Sequence, residues 1–201
     1  MQQATHNRRA ELKRQTKETT IDVQVVLDGQ GRYDIKSGIG FLDHMLELWT
    51  RHSLMDVTLK ARGDTQVDCH HTTEDVGIVL GLAIKQALGD KRGIARYGHA
   101  LVPMDEALVL VALDCSGRGL LSWSVNFSDE KLGTLATASI REWFHAFALN
   151  SGVTLHVRQL AGGNSHHSAE AAFKGCARAL RQAIAIDERQ KEAIPSTKGT
   201  L

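Results

Sequence analysis

The pattern His-His-x-x-Glu occurs twice in the chain, as His70-His71-Thr72-Thr73-Glu74 and as His166-His167-Ser168-Ala169-Glu170, with 96 residues from the first copy to the second. A pattern repeated at long spacing constrains the fold to two similar halves, because each copy needs the same local scaffold around it. Both copies open an apolar periodic stretch: Val76, Val79, Leu80, Ala83 and Ile84 after the first, Ala171, Phe173, Ala177 and Leu180 after the second. The repeat extends upstream. Leu27-Asp28-Gly29-Gln30-Gly31-Arg32 matches Leu113-Asp114-Cys115-Ser116-Gly117-Arg118 at a spacing of 86, and Val57-Thr58-Leu59 matches Val153-Thr154-Leu155 at the 96 of the histidine pairs. Between these anchors a short deletion aligns His44-Met45-Leu46 with Glu142-Trp143-Phe144.

Each half reads as several strands, a helix, a strand and a second helix that begins near its histidine pair. Thr20 to Leu27 alternates as a strand with one wet face, and Ala107 to Leu113 reads as a more fully buried one. Phe41 to Trp49 and Ile140 to Leu149 are the expected shorter helices; Thr72 to Leu88 and Ser168 to Ile186 are the longer ones. Residues 1–93 form the first repeat with a basic amino end (Arg8, Arg9, Lys13, Arg14, Lys17), and residues 94–201 the second, ending in an irregular tail through Pro195 and Gly199.

Metal binding is the chemistry this spacing suits. Residues four apart on a helix lie one above the other, so His70 with Glu74, and His166 with Glu170, can each chelate one ion. His71 and His167 are rotated by about 100° on a helix of 3.6 residues per turn and point elsewhere, which predicts two ions. His44 and Glu142 are candidates to complete the two ligand sets, with His145 a rival to Glu142. Imidazole and carboxylate donors without thiolate fit Mn²⁺, Fe²⁺ or Zn²⁺, and four protein ligands with open positions suit six-coordinate manganese. Cys69 precedes a ligand and reads as a structural thiol.

The chain has 201 residues, 42% hydrophobic and 23% charged, with a net charge of +1. That balance supplies no basic field for nucleic acid. Three widely spaced cysteines argue for a reducing compartment, and with no signal peptide, transit segment or membrane span visible the expected location is cytoplasmic.

Together these residues resemble the imidazoleglycerol-phosphate dehydratase family of histidine biosynthesis. The blocks that carry the resemblance are Thr16-Lys17-Glu18-Thr19, Gly40-Phe41-Leu42-Asp43-His44-Met45-Leu46, His70-His71-Thr72-Thr73-Glu74-Asp75, Asn164-Ser165-His166-His167, Glu170-Ala171-Ala172-Phe173-Lys174 and Pro195-Ser196-Thr197-Lys198-Gly199. The resemblance implies an α+β fold with internal duplication, each half a four-stranded sheet packed with two helices, and homo-oligomers in which trimers assemble into a 24-mer. It also implies two Mn²⁺ per active site, lying between subunits. One ion would be held by His44, His71, His166 and Glu170, the other by His70, Glu74, Glu142 and His167; exchanging the halves converts one set into the other. The family often has histidine where this chain has Glu142.

The implied reaction is a hydro-lyase step that converts imidazole glycerol phosphate to imidazole acetol phosphate and water through a di-manganese-bound imidazolate. The proton removed has no adjoining carbonyl, so enolate chemistry does not apply, and cations on both ring nitrogens would stabilise the ring anion instead. The resemblance makes Glu18 the base, with His71 and Glu170 in the catalytic set. Read alone, Glu18 is a solvated acid beside Lys17. Substrate contacts carried over are Glu18, His44, His52, His70, His71, Glu74, Arg96, Arg118, His166, His167, Glu170, Lys174, Ser196, Thr197 and Lys198. Of these, Arg96, Arg118, Lys174, Ser196 and Lys198 would surround the phosphate. Lys174 also reads as the helical ion-pair partner of Glu170, and Arg118 as a structural arginine like Arg32. Two other classes remain open from the residues: a di-metal hydrolase, which would release phosphate or another cleaved product, and a metal-storage oligomer without turnover.

Overall fold

The computed structural model describes residues 8–201; the first seven residues of the amino-terminal repeat lie outside them. In the first half β1 (Arg9–Gln15), β2 (Thr19–Val26) and β3 (Tyr33–Lys36) precede α1 (Gly40–Ser53), β4 (Asp56–Gly63) and α2 (His70–Leu88). The second half follows the same order with β5 (Tyr97–Met104), β6 (Ala107–Asp114), β7 (Leu120–Ser124), α3 (Thr137–Ser151), β10 (Thr154–Ala161) and α4 (Ser165–Ile184). A small hairpin, β8 (Lys131–Leu132) with β9 (Leu135–Ala136), is inserted between β7 and α3. The two main sheets have matching orders, β1-β2-β4-β3 and β5-β6-β10-β7, and in each the last strand pairs in parallel with its neighbour. The duplicated α+β organisation expected from the sequence is the one the chain adopts.

The strand register corrects the upstream spacings. Arg9 opposes Val26 as Tyr97 opposes Asp114, and Tyr33 opposes Val57 as Leu121 opposes Leu155. Equivalent positions in β1 to β3 and β5 to β7 are therefore 88 apart, not 86, and those in β4 and β10 are 98 apart, not 96. Both errors are of two residues because strand alternation has period two, so a shift of two keeps every side chain on its own face. The spacing of 98 also joins the ends of α1 and α3, at Leu54 (φ 59°) and Gly152 (φ 69°), and it confirms His44 and Glu142 as equivalents. In the loop after β4 the spacing drops to the 96 of the histidine pairs.

All four helices depart from the expected limits at their ends. α2 and α4 start two to three residues early because Asp68 and Asn164 satisfy the free amides of their first turns: His70 N–H donates to Asp68 Oδ1 (2.7 Å), and the His166 and His167 amides donate to Asn164 Oδ1 (2.9 and 3.2 Å). α1 and α3 run on to their left-handed C-caps. α4 stops at Ile184, where the chain turns extended and Ile186 bridges to Ile94.

The helices exchange partners between halves. α2 lies on β1 and β2 of its own sheet and α4 on β5 and β6, but α1 packs on α4 and α3 on α2. Trp49, Trp143, Phe144, Phe147 and Phe173 fill the junction, all fully buried, with Trp143 and Phe173 ring centroids 4.7 Å apart. Removing one such ring costs about 3–5 kcal/mol. The halves thus share one core.

Candidate metal centre

The helix exchange is what assembles the candidate ligands. His44 projects from the first turns of α1 and meets His166 and Glu170 on α4: both imidazole Nε2 atoms lie against Glu170 Oε1, at 3.2 and 3.1 Å, and the three donor atoms fall within 4.8 Å of one another. Glu170 is only 6% exposed. Burial alone would raise its carboxyl, but the Lys174 ammonium on Oε2 and hydrogen bonds from His166 and His44 outweigh that and hold it at about 2. It is therefore ionised, with one oxygen given to Lys174 and the other to the histidines. Phe41 stacks edge-on to His166 at 5.2 Å and walls this side.

The second copy is looser. His70 Nε2 stands 3.4 Å from Glu74 Oε2, with both side chains more than 40% exposed. Glu142, in the place of His44, accepts a hydrogen bond from its neighbour Arg141 (3.0 Å), and His145 lies half-buried one turn on. The second histidine of each pair turns to other acids. His71 Nδ1 is 3.0 Å from Asp64 Oδ2 and 3.8 Å from Glu18 Oε2, and these three residues form a second cluster within 4.8 Å. His167 Nδ1 is 2.7 Å from Glu106 Oε2, with Asp105 3.6 Å from Nε2. These contacts push both imidazoles above their usual value, through the bond to Asp64 and to Glu106 respectively, and the His167 bond holds the Glu106 carboxyl at about 2. Within one chain, then, His71 and His167 stand apart from the other members of the ligand sets that the resemblance implies. Asp64 and Glu106 were not anticipated: acids in a loop and at a hairpin tip carry no periodic signature.

Of the substrate-binding candidates, Lys174 pairs with Glu170 and sits 3.6 Å from Met104 Sδ, so the helical ion pair is formed. His52, in the last turn of α1, is pushed below its usual value by burial and by Lys174 and Arg178 nearby. Arg96 occupies a left-handed position (φ 73°); it grips Asp114 and donates to the Pro195 carbonyl at 2.8 Å, which ties the tail to the body. Ser196, Thr197 and Lys198 continue in a turn in which Lys198 N–H donates to Ser196 Oγ (3.2 Å). Arg118 is exposed on the turn after β6, whereas Arg32 is bound to Asp56. Cys115 and Cys176 are buried thiols, each pushed up to about 12 by that burial. Among the described residues no helix is long and apolar enough to cross a membrane.

Comparison with known proteins agrees with this architecture. The family described as imidazoleglycerol-phosphate dehydratase matches residues 37–180. Proteins of that name from Ruegeria pomeroyi and Desulforamulus reducens are each 58% identical to this chain, over 194 and 195 residues; the matches cover 96% and 97% of this chain and 100% and 99% of theirs. The crystal structure of the dehydratase from Staphylococcus aureus superposes with a TM-score of 0.81 at 38% identity, over 89% of this chain and 99% of the other. The Pyrococcus furiosus structure, in complex with (S)-C348, does so at 0.81 and 37%, over 94% and 100%. On sequence and on fold alike, the chain belongs to the imidazoleglycerol-phosphate dehydratase family.

Proposed function

We propose that this protein is the hydro-lyase that converts imidazole glycerol phosphate to imidazole acetol phosphate and water in histidine biosynthesis, with two Mn²⁺ per active site. The observation that carries the reading is the His44, His166 and Glu170 cluster: three hard or borderline donors converge, the carboxylate is ionised, and Lys174 neutralises the oxygen turned away. Such a donor set fits a divalent cation of the manganese type. Its fourth ligand would be His71, and the second set would be His70, Glu74, Glu142 and His167. Because His71 and His167 face away from these sets within the chain, we assign each complete site to contacts between copies of the protein, in trimers that build a 24-mer, located in the cytoplasm.

Bound cations would supply Lewis acids that favour the anionic form of the substrate's imidazole. The rest falls to side chains of the protein. Glu18, at the tip of the β1–β2 hairpin with 54% of its side chain exposed, takes the proton from the carbon next to the carbinol. The C–H electron pair becomes the enol double bond as the C–O bond at the ring-bearing carbon breaks; the departing hydroxide takes up the proton that the ring nitrogen gives up on ionising and leaves as water, and the proton held by Glu18 returns to the ring of the product. Tautomerisation of the enol gives the ketone. Lys174, with His52 and Arg178 beside it on the α1–α4 face, supplies fixed positive charge for the phosphate, joined by Arg96, Arg118, Ser196, Thr197 and Lys198.

Metal-stripped protein incubated with imidazole glycerol phosphate and then given Mn²⁺ should form imidazole acetol phosphate without free phosphate. Release of phosphate would indicate a hydrolase, and metal uptake without product would leave only storage.

A further inference from the structure

The spacing of 88 that relates the two hairpins makes Glu18 and Glu106 equivalents, each at a tip next to the second histidine of its half. Yet they are used differently. Glu106 is committed: it accepts from His167 Nδ1 (2.7 Å) and from the Asn164 amide (2.9 Å) at the entry of α4. Glu18 stands off His71 at 3.8 Å, and the contact its equivalent would make is taken by Asp64, from the longer loop between β4 and α2, at 3.0 Å. That loop spans residues 64–69, whereas residues 162–164 suffice in the second half, so the first half alone has room for an acid there.

We infer that Asp64 and Glu106 are positioning residues for His71 and His167, and that Asp64 does in the first half what Glu106 does in the second, which leaves the Glu18 carboxylate free for chemistry. The inference rests on the metal reading above. A carboxylate on Nδ1 fixes the proton there and leaves the Nε2 lone pair for an ion, at His167 on the side of the exposed Asp105 carboxylate (3.6 Å), the tautomer a ligand to an ion shared between copies requires. The chain has two histidine types in consequence. His70 and His166 turn Nε2 to the glutamate on their own helix, and His71 and His167 have Nδ1 held by an acid from another element. Asp64 Oδ1 is buried without a hydrogen-bond partner, so the loop bears the cost of a half-satisfied carboxylate to keep Oδ2 on the ring.

The test is Mn²⁺ titration of the metal-stripped, assembled protein by calorimetry, with free Mn²⁺ followed by electron paramagnetic resonance. Glu106→Gln and Asp64→Asn keep the shapes of the side chains, but an amide can accept or donate and no longer fixes the tautomer. Each variant should weaken one of the two sites per chain by about 10- to 100-fold and leave the other at wild-type affinity, because His71 and His167 belong to different sets. The melting temperature of the metal-free variants should stay at the wild-type value, and Asp64→Glu should restore binding where Asp64→Asn loses it. Wild-type affinity at both sites in both variants would overturn the inference, as would equal weakening of both sites in either one, which is the mark of general loosening. Wild-type protein that takes up fewer than two ions per chain would sink the metal reading itself, an outcome visible before any variant is made.

Discussion

The α1–α4 and α3–α2 pairs are built from equivalent helices, yet the first brings three donors together where the second brings two. The difference can be traced through the repeat. Glu170 has Lys174 one turn on, but Ile78 stands at the equivalent place after Glu74; Arg178 is likewise matched by Leu82, and His52 by Asn150. One pair therefore presents a buried carboxylate among cations, and the other an exposed carboxylate beside an apolar face. Duplication supplied two copies of one scaffold, and divergence gave the cations to one of them. The hairpin tips diverged in the opposite sense: the first half kept its acid free, and the second bound its acid to a histidine.

The largest effect should come from the free acid. Glu18→Gln should lower kcat by about 10²- to 10⁴-fold, the usual range for losing a general base, with Mn²⁺ content and assembly unchanged. Steady-state formation of the ketone measures it, and a fully active variant would remove Glu18 from the mechanism. Next come the two motif glutamates. In metal-free protein Glu170→Ala leaves the largely buried Lys174 without its counter-ion and should cost on the order of 3 kcal/mol. Glu74→Ala, at a half-exposed side chain, should stay within about 0.5 kcal/mol. Denaturant unfolding at fixed protein concentration compares them, and equal losses would dissolve the distinction between the pairs.

How far the sequence showed these features depends on range. The histidine motifs, four helices and the equivalence of His44 with Glu142 could be read because each is local or repeated in register. α2 and α4 begin two to three residues before their apolar periodicity shows because the caps that start them, one amide bond to Asp68 and two to Asn164, carry no periodicity. The strand spacings slipped by two because alternation cannot register such a shift, and that slip hid the equivalence of Glu18 with Glu106. The pairing of α1 with α4 and of α3 with α2 joins elements from different halves, which no local pattern encodes.

A smaller effect tests how the helix pairs came to differ in packing. Gly81 of α2 corresponds to Ala177 of α4, so Gly81→Ala imports the residue the other copy already has. A Cβ there would lie 2.8 Å from the Phe147 carbonyl oxygen and 2.9 Å from the Ser151 nitrogen, both backbone atoms of α3. Alanine gains about 1 kcal/mol in helix propensity, but overpacking typically costs about 1–3 kcal/mol. The variant should be no more stable than wild type, and by up to about 2 kcal/mol less. Unfolding curves showing stabilisation instead would mean that α3 can retreat from α2, and that its close approach is not fixed by the glycine.

A last comparison concerns pH and the cluster that Glu170 centres on α4. The Glu170 carboxyl is held at about 2 in the folded chain against an ordinary 4.5, so the folded state binds its proton less readily than the unfolded state does. Its contribution to the stability of metal-free protein is complete above pH 4.5 and is lost as the pH falls from there through about 2. Glu170→Gln carries no ionisable group at that position, so its stability should lack this part of the acid dependence. The gap between wild type and variant should narrow across that window. A gap for Glu170→Gln that persists unchanged down to pH 2 would mean that the Lys174 contact acts through packing and not through charge, and the two motif glutamates would then differ only in burial.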